Sequence, residues 1–513
     1  MSAGATLALN EAMPTEEENI NVDNYYQNPR TARITIDELH FDKAMATEGV
    51  KCSVTTDAHD DSKNTSVVLS EWTQIPNTNR YVATMQMQED AKYHLDVTYT
   101  DIAGNTGESY QTEFYVDNTA PELSVSVNDS EKRGAYSGEI KSVISYDDTN
   151  FDEEQVEISM SGINVDVTEY NISDEEIVFT LKNEAGDSVE WKGKFEDVLE
   201  EGSSKVYGKK ITFENFPEGK NLKDFDDIYT LTVSLTDKSG RTSSQELVFS
   251  VNRFGSTYDI TQIKDVLGTY SQTSPEIVVS EVNPDELKEH SITLFKNNET
   301  ITLNEGSDYT MSVIGESNEW HEYIYTIPAS NFTDDGIYNI TLHSVDKADN
   351  VSENTLDTKD STISFAIDNT PPKAIVANLE SGETYAENSR RIVMTADDNL
   401  LLSDVAVYLD NSSEALKKWN ENEIAQILGN KNVEEKTFEF EISGDSTKAH
   451  TLKVLCIDKA GNKTELEYDG FYITTNMWIR YINNKPLLFG SIVGILLLTG
   501  GIVFVVTRKK RQS

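Results

Sequence analysis

Tyr93-His-Leu-Asp-Val-Thr-Tyr-Thr-Asp-Ile-Ala-Gly-Asn105, followed by Phe114-Tyr-Val116, decides the fold. Apolar and polar side chains alternate on both sides of the turn, as half-buried strands require. The Asp-Ile-Ala-Gly-Asn between them supplies side-chain caps and a glycine for positive φ, so the unit is a β-hairpin. It recurs three times. Tyr229-Thr-Leu-Thr-Val233 leads to Asp237-Lys-Ser-Gly-Arg241, Tyr338-Asn-Ile-Thr-Leu342 to Asp346-Lys-Ala-Asp-Asn350, and His450-Thr-Leu-Lys-Val454 to Asp458-Lys-Ala-Gly-Asn462. The ring residue always stands eight positions before the Asp, and a second alternating run follows each turn, at Phe249-Ser-Val251, Phe365-Ala-Ile367 and Phe471-Tyr-Ile473. Asp101, Asp237, Asp346 and Asp458 are 136, 109 and 112 residues apart. That spacing fits one all-β sandwich per repeat and is too long for a solenoid.

Outward from the hairpins, each repeat opens with a shared element. These are Ile34-Thr-Ile36 before His40-Phe41-Asp42, Val143-Ile144 before Asn150-Phe151-Asp152, Ile277-Val-Val279 before Asn283-Pro284-Asp285, and Val393-Met394 before Asp398-Asn399. One tryptophan lies within each, Trp72, Trp191, Trp320 and Trp419, read as a core or edge anchor. Asp117-Asn-Thr-Ala-Pro121 and Asp368-Asn-Thr-Pro-Pro372 join consecutive repeats, and proline makes such joints short and stiff. The expected domains are residues 30–118, 119–254, 255–369 and 370–475, with 1–29 an acidic, disordered linker. Domain 2 departs from the pattern at Ser239-Gly240-Arg241 and Asn252-Arg253 and lacks the Asp-Asn-Thr-x-Pro joint. In domain 4, Leu416, Trp419, Ile424, Ile427 and Leu428 have roughly helical spacing within Ser413 to Leu428, which predicts a short helix capping one end.

The phrases YTDIAGN, FYVDNTAP, VISYDDTNFDEEQVEI and FAIDNTPP resemble the bacterial immunoglobulin-like repeats, of the group 3 kind, of Gram-positive surface proteins. The resemblance covers about residues 25 to 475. It implies four tandem immunoglobulin-like Greek-key sandwiches of seven to nine strands, without the disulfide of antibody domains, used as a stalk or adhesive module at the cell surface.

Pro486 to Thr507 is a run without charge, long enough at about 1.5 Å per residue to cross a hydrocarbon core of roughly 30 Å. Trp478 and Tyr481 precede it at the headgroup level, and Arg508-Lys509-Lys510-Arg511 follow, which places residues 508–513 in the cytoplasm and the bulk of the chain outside. Met1 to Arg30 has neither a cationic n-region nor a long apolar run, so a signal segment is expected upstream; a tail-anchored, cytosolic orientation is the alternative that the basic cluster opposes. No LPxTG-type sorting site precedes Pro486, which favours retention by the helix.

The 513 residues suffice for several cores, and the formal net charge of −46 excludes a nucleic-acid-binding face, since phosphates would be repelled. Cys52 and Cys456 are too far apart in sequence to outline a disulfide framework or a cysteine zinc site, and read as small buried hydrophobes. The seven histidines, His40, His59, His94, His290, His321, His343 and His450, are scattered; His450 takes the slot held elsewhere by Tyr, a packing role. Asn-x-Ser/Thr triplets at Asn64, Asn171, Asn331 and Asn462 are expected by chance in so Asn-, Ser- and Thr-rich a chain. No HExxH, GxSxG, Walker A or GxGxxG pattern occurs, so an enzyme is not expected.

Acidic clusters are the one feature able to carry chemistry. Asp101, Asp117, Asp147, Asp148 and Asp152 are expected near the joint between domains 1 and 2, and Asp346, Asp368, Asp397 and Asp398 near that between 3 and 4. Calcium takes six to eight oxygens, and carboxylates with Asn and backbone carbonyls supply them, much as in cadherin linkers. Turn capping by Asp and Asn accounts for the same residues and is the plainer reading. The functional expectation is a membrane-anchored stalk or adhesion-type protein. It would hold four sandwiches, each about 40 Å long, on the order of 150 Å from the bilayer toward an extracellular protein or glycan. The alternatives are the spacer of a surface hydrolase whose catalytic domain lies upstream, or a carbohydrate-binding array using an aromatic platform such as Tyr25, Tyr26 or Tyr136.

Overall fold

The protein, seen here in a computed structural model, is described at residues 4–9, 21–22, 24–55, 67–152, 155–173, 175–199, 204–429, 436–444 and 447–511; His59 and Asn64 lie outside these. Eight sheets pair off in chain order into four sandwiches, followed by a long apolar helix. The repeated hairpin is present in each module: Ala91–Val97 with Tyr110–Val116, Asp227–Thr236 with Thr242–Val251, and His450–Asp458 with Lys463–Ile473, all antiparallel. In module 3, Gly336–Asp346 pairs with Val351–Glu353 beside the turn and with Ile363–Ile367 further on.

The recurring ring residue has a structural cause. The hydroxyls of Tyr93, Tyr229 and Tyr338 donate to the carbonyls of Glu89, Phe225 and Asp334, four residues upstream, at 2.8, 2.9 and 2.6 Å. Each ring stacks on the phenylalanine of the following strand, with centroids 5.6, 5.7 and 5.5 Å apart for Tyr93–Phe114, Tyr229–Phe249 and Tyr338–Phe365. This is a tyrosine corner, which pins the bend entering the strand while the ring fills the core. His450 keeps the ring contact, 5.7 Å from Phe471, and turns its Nδ1 to the Asp410 carboxylate at 2.9 Å. Tyr338→Phe keeps the ring and leaves the Asp334 carbonyl without its donor. It is expected to cost about 1 kcal/mol, lowering the melting transition of module 3 by about 5 °C in calorimetry of the full chain.

Every module also has, near its start, a short strand running parallel to its last one. Tyr25–Tyr26 pairs with Tyr115 and Val116, Gly134–Tyr136 with Phe249 to Val251, Tyr270–Ser271 with Ala366 and Ile367, and Thr384–Tyr385 with Tyr472 and Ile473. In modules 2, 3 and 4 a preceding strand, Glu122–Val127, Thr257–Asp259 or Lys373–Val376, crosses to the opposite sheet. Module 1 takes the equivalent strand from Gly4–Leu9, antiparallel to Arg30–Asp37. At Gly4–Leu9 this differs from the disordered linker expected for residues 1–29: the open edge of Arg30–Asp37 pairs with the Gly4–Leu9 run.

Modules 2 and 3 each contain ten strands among the described residues, more than the seven to nine implied by the resemblance. In module 2 the addition is the antiparallel run of Asp166–Ser173, Glu176–Lys182 and Ser188–Leu199, which uses the surplus visible in the 136-residue spacing. The insertion of module 4 is helical only over Glu421–Leu428; Lys417–Trp419 pairs instead with Val405 to Val407. The Asn420 side chain accepts from the Asn422 and Glu423 N–H groups while Glu423 reaches back to the Asn420 N–H, a capping box that fixes the helix start. Trp191 and Trp419 are core residues, and Trp72 is half-buried against Phe41. Trp320 is not a core anchor of its own module: its Nε1 donates to Asp227 of module 2 at 2.7 Å. Cys456 is buried and Cys52 half-buried, both unpaired. The C-terminal helix spans Lys485–Lys510, and an 18-residue window within its Lys485–Arg508 stretch has a mean hydropathy of 2.5 with none of that window buried against the protein.

Candidate metal centres at the joints

The three joints are built alike. The residue after each module's last strand is Asp117, Asn252 or Asp368, and its carbonyl is gripped by the next module's turn. Arg241 Nε, Asn350 Nδ2 and Asn462 Nδ2 donate to it at 3.3, 2.7 and 2.8 Å. In the outer joints the Asn and Thr of Asp-Asn-Thr clamp a corner aspartate of the preceding module. Asn118 N–H donates to Asp90 at 2.7 Å and Asn369 N–H to Asp335 at 2.8 Å, with the Thr119 and Thr370 hydroxyls on the second oxygens. Asp226 accepts the Arg253 and Phe254 N–H groups in the middle joint, at 2.6 and 2.7 Å.

The side chains of Asp117 and Asp368 point into carboxylate trios. Asp117, Asp148 and Asp237 form one, Asp368, Asp398 and Asp458 the other, each with oxygens within 4.8 Å of one another. Asp117 is 1% exposed, and neither of its oxygens has a well-placed hydrogen-bond donor. Oδ2 of Asp237, Oδ2 of Asp368 and Oδ1 of Asp398 are likewise buried without a donor. Their opposite oxygens cap turns: Asp237 Oδ1 accepts from Ser239 N and Arg241 N at 2.8 and 2.9 Å, and Asp398 Oδ2 from Leu400 N and Leu401 N at 3.0 Å. Both sequence readings are therefore present in single residues, since one oxygen caps the turn and the other faces the trio.

Electrostatics mark the trios as incomplete. Burial, followed by the charges of Asp237, Asp148 and Asp90, pushes the Asp117 carboxyl up to about 7, and the Asn150 side chain offsets this least of the causes. Burial likewise pushes Asp148 up to about 7 against the Asn150 N–H that holds it down. Asp237, Asp368 and Asp398 are also raised, each chiefly by burial. Three buried carboxylates within reach of one another need a proton or a cation between them. Oxygen-only donors that are hard and anionic suit calcium, with backbone carbonyls or water completing the shell.

Of the carboxylates singled out in the sequence, the trios bring together Asp117 with Asp148 and Asp368 with Asp398, and not the others. Asp101 lies in the turn of module 1 and not at the first joint; both its oxygens are engaged by Asn105, at 2.8 and 2.9 Å, which holds its carboxyl below the usual range. Asp346 belongs to the middle joint, not to that between modules 3 and 4. Asp147, half-buried, and Asp397, exposed, end their strands outside the trios, and Asp152, in the loop between Asp147 and Val156, lies outside them too. The physical reason is topological. A seven-residue last strand such as Tyr110–Val116 separates turn from joint by about 23 Å, so each turn meets the module before it. Asp237 and Asp458 were thus missed as site residues although the repeat displays them.

No family model matches the chain, and no curated protein matches it. Among solved structures it is similar to the N-terminal eight immunoglobulin domains of the Down syndrome cell adhesion molecule, with a TM-score of 0.27 and 10% identity over 92% of this chain and 49% of that one. It is also similar to the Escherichia coli adhesin FdeC (TM-score 0.21, 11% identity, 71% of this chain and 96% of that one). A third is the protocadherin γB4 extracellular domain (0.22, 12%, 83% and 60%). The chain thus spans about half the length of the first of these. Scores of this size carry no functional argument; the tandem sandwich architecture rests on the strand pairing itself.

Proposed function

We propose that the chain is a membrane-anchored cell-surface rod that presents its membrane-distal modules to an extracellular protein or glycan, acting by binding and spacing and not by catalysis. The observation that carries this reading is the order of parts: four sandwiches joined end to end, then one unburied apolar helix closed by basic residues. The positive-inside rule sets the orientation. In this reading the joints at Asp117 and Asp368 take calcium, which neutralises the trios and stiffens the rod. Trypsin applied to intact cells is expected to digest the modules while leaving the 485–510 helix in the membrane fraction. Protection of all four modules until the cells are lysed would overturn the orientation and the role with it.

A further inference from the structure

The middle joint has the same framework as the outer two and a different centre. Asn283 stands where Asp148 and Asp398 stand, as its Oδ1 accepts the N–H two residues on, from Asp285 at 2.8 Å, just as theirs accept from Asn150 and Leu400. Asp346 matches Asp237 and Asp458 in the repeat. The corresponding trio is therefore Asn252, Asn283 and Asp346, in which two of three carboxylates have become amides.

Asn252 is fully buried and its side chain is fully engaged. Its Nδ2 donates to Asn283 Oδ1, Asp285 Oδ2 and Asp346 Oδ2 at 3.0, 3.0 and 2.9 Å, and its Oδ1 accepts Gly255 N–H at 3.0 Å. The two hydrogens of one NH2 group are thus shared among three oxygens contributed by the next module, at the place a cation would take. Asn283 Nδ2 adds bonds to Asp346 Oδ2 and Ser256 Oγ at 3.1 and 3.0 Å. Gly255 holds φ +73 where Pro371 stands in the last joint, and a Cβ on it would lie 2.7 Å from Ser352 Oγ, so the backbone path is specific to this joint.

Further bonds cross the same boundary without any ion. Trp320 reaches Asp227; Arg133 Nε donates to Asn318 at 3.1 Å and its Nη2 lies 3.7 Å from Asp285; Ser137 Oγ donates to Ala348 O at 2.8 Å. Lys359 Nζ donates to the Phe254 and Ser256 carbonyls, both at 2.7 Å.

We propose that the Asn252 side-chain amide closes the joint between modules 2 and 3 in the place where the outer joints take a divalent cation, so that two cation-dependent joints flank one permanent joint. The contrast rests on the cation reading of the outer joints; the amide lock does not. Hydrogen exchange read by mass spectrometry on the full chain in detergent micelles, with calcium chloride or with a chelator, tests both. In the chelator, amides around 117–121 and 368–372 are expected to exchange at least tenfold faster than in calcium, and those around 252–256 within twofold of their rate in calcium. Asn252→Asp with Asn283→Asp makes the trio all carboxylate, with Asp285 beside it as a fourth; its 252–256 segment is expected to exchange at least tenfold faster in the chelator and to recover in calcium. Asn252→Ala, which adds no charge, is expected to loosen the same segment with no recovery in calcium, while unchanged exchange in the Trp191 core shows that the modules stay folded. A wild-type middle joint that loosens in the chelator as much as the outer ones, or variants as protected there as wild type, would overturn the lock. Outer joints indifferent to calcium overturn the cation reading alone, because the comparison of wild type and variants in the chelator tests the amide by itself.

Discussion

Trp191→Ala is expected to lower the unfolding temperature of module 2 by on the order of 15 °C, the largest effect of any single core substitution in that module. Trp191 is wholly buried, with the rings of Phe213, Phe216, Phe249 and Phe179 at centroid distances of 4.5, 5.0, 6.1 and 6.4 Å, and its Nε1 donates to Glu214 O at 2.8 Å. Truncation removes that packing, opens a cavity between two sheets and takes the indole donor from the Glu214 carbonyl. Such changes cost about 3–5 kcal/mol, against a total stability for a domain of about 5–15 kcal/mol. Calorimetry of the full chain reads the result as one transition moving away from the others. Trp320→Ala is the control: it removes one hydrogen bond across a joint, from a half-buried ring to the buried Asp227 carboxylate, worth about 1.5–3 kcal/mol, and spares both cores. Equal effects of the two substitutions would show that module 2 does not have the core described.

The second large effect concerns Asp117. In a chelator at neutral pH, the first joint holds three carboxylates with too few protons to satisfy them. The carboxyls of Asp117 and Asp148 are pushed up to about 7, above the ordinary 3.8 that applies when unfolded, so the folded chain holds more protons between about pH 4 and pH 7. Their contribution to stability is therefore fully present below about pH 4 and is lost as pH rises through 7. The groups that shift Asp117 are Asp148, Asp237 and Asp90 with the Asn150 side chain, and the cation at the joint, Arg241, is committed to the Asp117 and Gln27 carbonyls, so no side-chain cation replaces the protons as they leave. Calcium is expected to do so, raising the transition of modules 1 and 2 at pH 7.5 by several degrees and far less at pH 5, where protons compete for the same oxygens. Asp117→Asn supplies an amide like that of Asn252. It is expected to stabilise the joint in the chelator by about 1–3 kcal/mol, to flatten its pH dependence, and to remove most of the calcium increment. Calorimetric scans at the two pH values, with calcium or chelator, decide the matter; a variant that keeps the wild-type calcium increment would remove Asp117 from the centre.

The hairpins were legible because their signals are local. The alternation, the Asp-led turn and the ring–Phe pair lie within about 25 residues of one another and occur four times, with His450 for Tyr in the last and Asp349 for Gly in the third. The apolar helix was legible for the same reason. What lay hidden depends on which parts meet. Asp117 and Asp148 could be suspected from their position beside the joint, but Asp237 joins them only because an antiparallel return carries the turn to the other end of its module. That is why Asp101 and Asp346 were placed one joint too late. The strand at Gly4–Leu9 was hidden by the acidic residues that follow it, and Trp320 by its likeness to Trp191. Asn252, which read as a departure from the Asp-Asn-Thr pattern, is the residue on which the middle joint turns.

The short strand near the start of each module lies alongside the closing strand and points the same way. A pull on the two ends of such a module drags these neighbours past each other lengthwise, so their hydrogen bonds share the strain together instead of parting one by one. In the reading proposed above, a chain held in lipid at its foot and grasped at its tip would be loaded along that axis, and each module would resist extension along this parallel pair.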